Sequence, residues 1–379
     1  MQRIDRIQVL YENRDVGTLA RTKYDLFAFE YLDEWLHSGF SLNPLSLPLE
    51  KRVFVPGQIP LNGMFGVFRD SIPYGWGRLL VEQFLRTQKE DPSAIDDLTQ
   101  LTIVGASGMG ALSYRPDYVF ETASSTFSPC QEDLDKLATE SLSVFSHIPS
   151  ADLDTLFVLG GFSDGVKPKI LTTVDGEDWI IKFPSTIDPP DIGEQEYAYA
   201  LAAKDCGIDI PQTRLFPSKL CPGYFGTKRF DRGPSMQRIH KVSVAALLET
   251  SHRLPDLDYH ILMKLTLRLT EDMSELKRLY RQMCFNVFAH NQDDHSKNFS
   301  FLYHEQEASW RLSPAYDLTY SSSHFGEHYT TVAGNGKDPG LDDLLSVAAQ
   351  AGLSQRWAKA TALEIKDRTH ELKHYWKSS

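Results

Sequence analysis

Cysteine is scarce in this sequence: Cys130, Cys206, Cys221 and Cys284 are the four in 379 residues. None forms a CxxC pair or stands at zinc-ligand spacing with a histidine, so they read as buried or partly exposed free thiols. The 12 histidines contain no HExxH; His324 and His328, four apart in SSSHFGEHY, read as surface residues of a loop. No apolar run reaches the roughly 18 residues that a membrane span needs, so no membrane association is expected. MQRIDRIQVLYENRDVG has no apolar signal core and reads as a first strand, which sets a cytoplasmic expectation. Excess positive charge is also lacking. A net charge of −12 and a pI near 5.5 argue against gripping nucleic acid by bulk charge. No internal repeat is apparent.

What is present is ordinary for a globular protein: 41% hydrophobic and 24% charged residues, over a length that suggests two or three domains. The expected class is α+β. Residues 1–120 alternate apolar and polar positions in short runs broken by turn residues, giving a β-rich N-terminal subdomain with one or two helices. One helix opens after Pro73 and Gly75, with Leu80 and Phe84 on one face and Leu79 beside them. Polar, Ser-rich Glu121–Asp135 is the linker candidate. Over residues 121–242 the reading is a small lobe with a mixed sheet. Asp175-Gly176 is a hairpin turn between two β-prone runs, EQEYAYALAAKDCGI a helix stopped by Gly207, and IPQTRLF and YFGTKRFD strands. Residues 243–379 read as a helical C-terminal lobe. Leu276, Leu279, Met283 and Val287 make a core-facing stripe there.

The chemistry gathers in QDDHSKNFS (Gln292–Ser300) and LSPAYDL (Leu312–Leu318). An acid, an asparagine five residues on and a later acid form the working end of a protein-kinase-type phosphoryl transferase. Asp293 fits the base that accepts a hydroxyl proton, and Asn298 and Asp317 fit hard oxygen ligands for Mg²⁺. The competing reading makes Asp293 and Asp294 helix caps and Asn298 a turn residue. Two upstream features weigh against it. GGFSDGVKPK (Gly160–Lys169) has three glycines within six residues, which lets backbone approach phosphates, and carries Lys167 and Lys169. It matches neither GxxxxGK[ST] nor GxGxxG. Lys182, alone among apolar residues in WIIKFP, stands where a phosphate-binding lysine belongs; Glu194 and Glu196 are candidate pairing acids, Glu196 the favoured one. An acidic chain can still use ATP, because magnesium and a few lysines neutralise the phosphates locally.

Taken in order, these segments resemble the HipA family of bacterial toxin kinases along nearly the whole chain. DVGTLA, LSLPL, FRDSIPYGWGRLL and VGASGMGALSY are similar to the family's N-terminal subdomain. The Gly-rich loop ending in PK, IIKFPS, EYAYALAAKDCGI, KRFDR, DDHSKNFS and SPAYDL are similar to its kinase-like domain. The resemblance implies a protein-kinase-like fold and an ATP- and Mg²⁺-dependent serine/threonine protein kinase. It implies a HipB-like DNA-binding antitoxin as partner, with DNA reached mainly through it. It implies an aminoacyl-tRNA synthetase as substrate, chiefly the glutamyl enzyme, whose phosphorylation arrests translation and produces persistence. By position, Gly165, Val166, Lys167 and Lys169 would cover the nucleotide phosphates and Lys182 would contact them. Lys228, Arg229 and Phe230 would lie at the adenine hinge, and His295 and Tyr316 would line the pocket.

Active members of the family phosphorylate a serine of the Gly-rich loop, which ejects the loop. Phe162 and Asp164 stand where some members carry a Ser-x-Ser run; Ser163 is the one serine in this loop. Asp317 is followed by Leu318 and Thr319 rather than by Phe-Gly. A small-molecule kinase of the aminoglycoside type shares the Asp293, His295, Asn298 spacing but usually has a histidine where Asn291 stands. An inactive antitoxin-binding scaffold is the other alternative.

Overall fold

The computed structural model describes residues 4–116, 131–323 and 326–377. The chain divides into two compact units, residues 1–193 with 214–242, and residues 194–213 with 243–379.

The first unit opens with the expected strand. β1 (Arg6–Tyr11) and β2 (Arg14–Arg21) are joined at Glu12 and Asn13, both with positive φ. β3 (Phe27–Tyr31), β4 (Val53–Phe54) and β5 (Leu112–Arg115) complete a sheet of order β4-β3-β2-β1-β5. Alternation sends Ile7, Val9, Leu19, Phe29 and Tyr114 into the core. This region holds more helix than the sequence suggests: α1 (Asp33–Ser38), α2 (Gly66–Arg69), α3 (Trp76–Thr87) and α4 (Asp97–Val104). All but α3 are too short to display a helical period. α3 buries Leu80 and Phe84 as expected, with Leu79 half-buried.

The linker expectation fails in part. Residues 121–130, Cys130 among them, lie outside the described residues, but Gln131–Asp135 open α5 (Gln131–Phe145). Asp135 accepts hydrogen bonds from Ser218 Oγ at 2.6 Å and Tyr224 Oη at 2.8 Å, so this polar residue is an anchor rather than a spacer. α6 (Leu153–Gly160) runs into the Gly-rich loop. β6 (Lys169–Val174) and β7 (Glu177–Lys182) form the expected antiparallel hairpin, turning at Asp175 (φ 53°) and Gly176 (φ 78°). β8 (Thr213–Phe216) and β9 (Tyr224–Lys228) extend it to a sheet of order β6-β7-β9-β8, and the unit ends at Val242 within β10 (His240–Ser243). Trp76, Leu80, Leu156, Ile170, Trp179 and Ile181 share one apolar core.

The second unit contains most of α7 (Ile192–Asp205), then the single turn α8 (Val244–Leu247), β11 (Leu257–Asp258), α9 (Tyr259–Thr270) and α10 (Met273–Phe288). The stripe Leu276, Leu279, Met283 and Val287 is buried on α10. An antiparallel hairpin that the sequence reading did not separate from the helices follows: β12 (Ser300–His304) with β13 (Ser309–Leu312). Glu275 of α10 accepts from Leu312 N at 3.1 Å and Arg278 donates to Leu312 O at 2.9 Å, which fixes the hairpin to the helix. β14 (Thr330–Thr331) pairs with β11, and α11 (Leu341–Gln350) and α12 (Gln355–Arg368) close the unit. Cys206 and Cys284 are buried free thiols, pushed up in pKa by that burial, and Cys221 is a half-buried one.

Candidate active site

The acid loop begins where α10 runs out. Ala289 caps the helix, His290 takes a positive φ of 53°, and the chain turns into Asn291–Asn298 without regular structure. Its backbone is stitched to the segment that follows Asp317. Ser321 N donates to His290 O (3.1 Å), Gln292 N to Ser321 O (3.2 Å) and Tyr329 N to Gln292 O (3.1 Å).

The two adjacent acids have different surroundings. Asp294 is 1% exposed. Its Oδ2 accepts from Tyr259 Oη and from His328 Nδ1, each at 3.0 Å, and its Oδ1 from Thr330 N at 3.1 Å. Tyr259 Oη in turn accepts from Asn286 Nδ2 (2.9 Å), and Asn286 Oδ1 from Asn291 Nδ2 (3.0 Å). Burial, with the Asp294 charge beside it, holds the Tyr259 phenol well above its usual range. Asp294 is therefore a buried anchor, and a helix-capping role for it is excluded. His328 is buried too, correcting the reading of it as a surface residue; His324 lies outside the described residues. Neither role had a local signal, because each partner lies 34 or 35 residues from Asp294 along the chain.

Asp293 is half-buried, and its neighbour's anchoring fixes the backbone from which it projects. Asn298 Nδ2 donates to Asp293 O at 2.7 Å and Asn298 N to His295 O at 2.8 Å, so the spacing of five closes a loop upon itself. With the amide nitrogen committed, Asn298 Oδ1 is the atom left to ligate a hard cation. Tyr316 Oη donates to Lys297 O at 2.6 Å and lies 2.5 Å from Ser300 Oγ, tying the Asp317 segment to the acid loop. Asp317 is exposed, in the left-handed region at φ 54°. His295 Nδ1 accepts from Lys297 N at 3.3 Å. Among the described residues no group of three or more His, Cys, Asp or Glu could hold a metal. An amide oxygen and a carboxylate instead suit Mg²⁺, which takes few protein ligands and completes its shell with water and phosphate oxygens.

The Gly-rich loop belongs to the first unit. Gly165 has φ 91°, and a Cβ there would lie 2.6 Å from Lys169 Nζ. Lys169 Nζ donates to Asp164 O at 2.5 Å, and Lys169 faces Lys182 in the β6–β7 register. Lys182 Nζ lies 5.6 Å from the Phe225 ring centroid. Lys167 pairs with Asp188 at 3.2 Å. Burial opposes the Asp188 charge, but Lys167 and the Ser185 hydrogen bonds hold its pKa below the usual carboxylate value. Val166 is exposed. Ser163 is 1% exposed, and its Oγ donates to Gly160 O at 2.6 Å.

At the expected hinge the side chains have other partners. Lys228 pairs with Glu177. Arg229 is buried and binds Asp231 with both Nε (2.9 Å) and Nη2 (2.7 Å). Phe230 is half-buried, and Glu196 is buried on α7.

Family comparisons cover most of the chain. The HipA N-terminal domain matches residues 7–115 and the HipA-like C-terminal domain matches residues 162–372, so the chain belongs to the HipA family. The fold is that of the HipA toxin of Shewanella oneidensis MR-1, solved with HipB and its operator DNA. The TM-score is 0.71 at 17% identity, covering 97% of this chain and 89% of that one. Two curated relatives bear the name kinase. Y4dM of Sinorhizobium fredii is 26% identical over 211 residues, 51% of each chain. A Haemophilus influenzae protein is 23% identical over 176 residues, 41% of this chain and 51% of its own. The chain thus spans about half the length of these relatives. No helix among the described residues is long and apolar enough to cross a membrane.

Proposed function

We propose that this protein is an ATP- and Mg²⁺-dependent serine/threonine protein kinase and the toxin of a HipA/HipB-type pair. One observation carries the reading. In a chain of this family, the acid loop holds Asp293 half-buried while Asn298 closes on its carbonyl and the adjacent Asp294 is locked beneath it.

Asp293 orients a serine or threonine hydroxyl and takes its proton as the oxygen attacks the γ-phosphorus; the bond to the β,γ-bridging oxygen breaks and ADP leaves. Mg²⁺ held by Asn298 and Asp317 would neutralise phosphate charge. Lys182 grips the phosphates under the loop of Gly165, Val166, Lys167 and Lys169. His295 and Tyr316 line the nucleotide pocket. At Lys228–Phe230, where the first two side chains are already paired, backbone groups take the adenine. The acceptor favoured is an aminoacyl-tRNA synthetase of glutamyl type, and the restraining partner is a HipB-like antitoxin that also carries the contact to DNA. The Shewanella assembly is the precedent for that partner.

The test is transfer of label from [γ-³²P]ATP to protein, which Asp293→Ala should lower by about 10²–10⁴-fold. Equal incorporation by wild type and variant overturns the catalytic assignment, and transfer to an aminoglycoside but to no protein makes the enzyme a small-molecule kinase. Self-phosphorylation, if it falls in the loop, falls on Ser163, and its buried hydroxyl requires the loop to lift first. Phosphopeptide mapping should find label on Ser163 and lose it in Ser163→Ala; label elsewhere refutes the assignment.

A further inference from the structure

The first turn of α3 comes from the N-terminal domain, yet it is packed on the Gly-rich loop roughly 90 residues downstream. Trp76 N donates to Gly165 O at 2.9 Å, using one of the amides that a helix start leaves without an intrahelical partner. Trp76 Nε1 donates to Lys169 O, also at 2.9 Å, and the indole is 1% exposed. One residue therefore ties both ends of the Gly165–Lys169 stretch.

The glycines around it show how close the two backbones run. A Cβ on Gly77 would lie 2.3 Å from Ser163 O and 3.1 Å from Gly161 O. A Cβ on Gly75, whose φ is already +60°, would lie 2.6 Å from Gly165 O and 2.8 Å from Val166 Cα. On the other side, a Cβ on Gly160 would meet Lys169 O at 2.7 Å and Leu80 Cδ1 at 2.9 Å. Gly77 lies inside a helix, where glycine costs about 1 kcal/mol against alanine, and the loop backbone above it is the packing reason.

We propose that the Gly75–Gly77 turn is a seat that fixes the Gly-rich loop, so that the N-terminal domain sets how tightly the kinase-like domain holds its nucleotide. Trp76 and Gly77 are positioning residues: they act through Ser163, Gly165 and Lys169. The proposal rests on the loop being the phosphate grip of the preceding section. A seated loop presents one conformation to the nucleotide. An unseated loop populates it only part of the time, and apparent affinity falls by that fraction.

Gly77→Ala should therefore speed hydrogen–deuterium exchange across residues 161–170 without nucleotide. It should raise the Kd for ATP about tenfold while kcat at saturating ATP stays within about threefold of wild type. Trp76→Phe, which keeps the backbone hydrogen bond and loses the one to Lys169 O, should do the same at about threefold. It serves as the readout if Gly77→Ala fails to fold. Gly176→Asn, in an open hairpin turn with nothing within 4 Å of its would-be Cβ, should change neither quantity. Folded variants with wild-type exchange in the loop and wild-type ATP affinity overturn the seat. Failure of the kinase reading looks different: wild type would transfer no label from ATP to protein, while loop exchange still responds to Gly77→Ala.

Discussion

Asp231 in the first unit and Asp294 in the second are both buried carboxylates that hold a loop in place, and they use different chemistry. Asp231 sits against arginine: Arg229 binds it through two nitrogens, Arg232 reaches it at 3.0 Å, and Gly110 N donates to it at 2.6 Å. Arg238 lies close by and donates to the carbonyls of Ala106, Gly108, Gly110 and Leu112, which wraps VGASGMGAL around the cluster. Burial opposes the Asp231 charge, but the arginines hold its pKa far below the usual carboxylate range. Burial and the neighbouring Arg232 and Arg229 push Arg238 down to about 10. Asp294 is instead held by a phenol, an imidazole and a backbone amide. The ionic hub leaves charges stranded if it is cut; the hydrogen-bonded hub leaves polar groups that lose one partner each.

The largest expected effect comes from cutting the ionic hub. Asp231→Ala strands buried guanidinium groups and should cost about 3–5 kcal/mol in denaturant unfolding. A loss under about 1 kcal/mol would mean that water or other acceptors take over, and the contrast with Asp294 would fall.

Acid separates a third buried group in the first unit from the ionic hub. His240 is fully buried with Nε2 at 2.9 Å from Leu42 O, and burial lowers its pKa to about 4. Its folded pKa lies below the unfolded value near 6.5, so the unfolded chain binds the proton first. Stability from His240 is complete above about pH 6.5 and is lost as pH falls to about 4, roughly 3 kcal/mol in all. Asp231, depressed below its unfolded value, loses its contribution only at lower pH. His240→Phe should flatten the upper part of the acid slope; an unchanged slope would assign that window to other groups.

Cutting the hydrogen-bonded hub should cost less stability and more activity. Asp294→Ala should destabilise by about 1–3 kcal/mol and lower kcat with little change in the KM for ATP, because it disturbs the backbone from which Asp293 projects. Asp294→Asn should recover part of both. If kcat is unchanged in a folded Asp294→Ala protein, the hub holds the loop for stability alone. The smallest effect is on the surface: Arg311→Ala, breaking an exposed pair with Glu307, should move stability by no more than about 0.5 kcal/mol.

Much of this was written in consecutive residues. The Asp175-Gly176 hairpin, the helix beginning after Gly75 and the α10 stripe are local patterns, and the structure has each of them. The spacing of Asp293 and Asn298 was legible for the same reason: five residues suffice for Asn298 to close on the Asp293 carbonyl. Short elements and long-range partners were not legible. α1, α2 and α4 are shorter than the window in which a helical period can be recognised, and polar Asp135 looked like linker because Ser218 and Tyr224 lie more than 80 residues away.

The sequence by itself determined the longer elements, the family, and the acid, amide and lysine set on which phosphoryl transfer is proposed. Only the tertiary structure decided which of two adjacent acids is buried, that His328 is an interior partner, that Arg229 belongs to an ionic hub, and that the first turn of α3 lies on the Gly-rich loop. The physical reason is the same in each case. A residue type and its spacing fix what a side chain can do, but burial and hydrogen-bond partners are supplied by segments far along the chain, and only the fold brings those together.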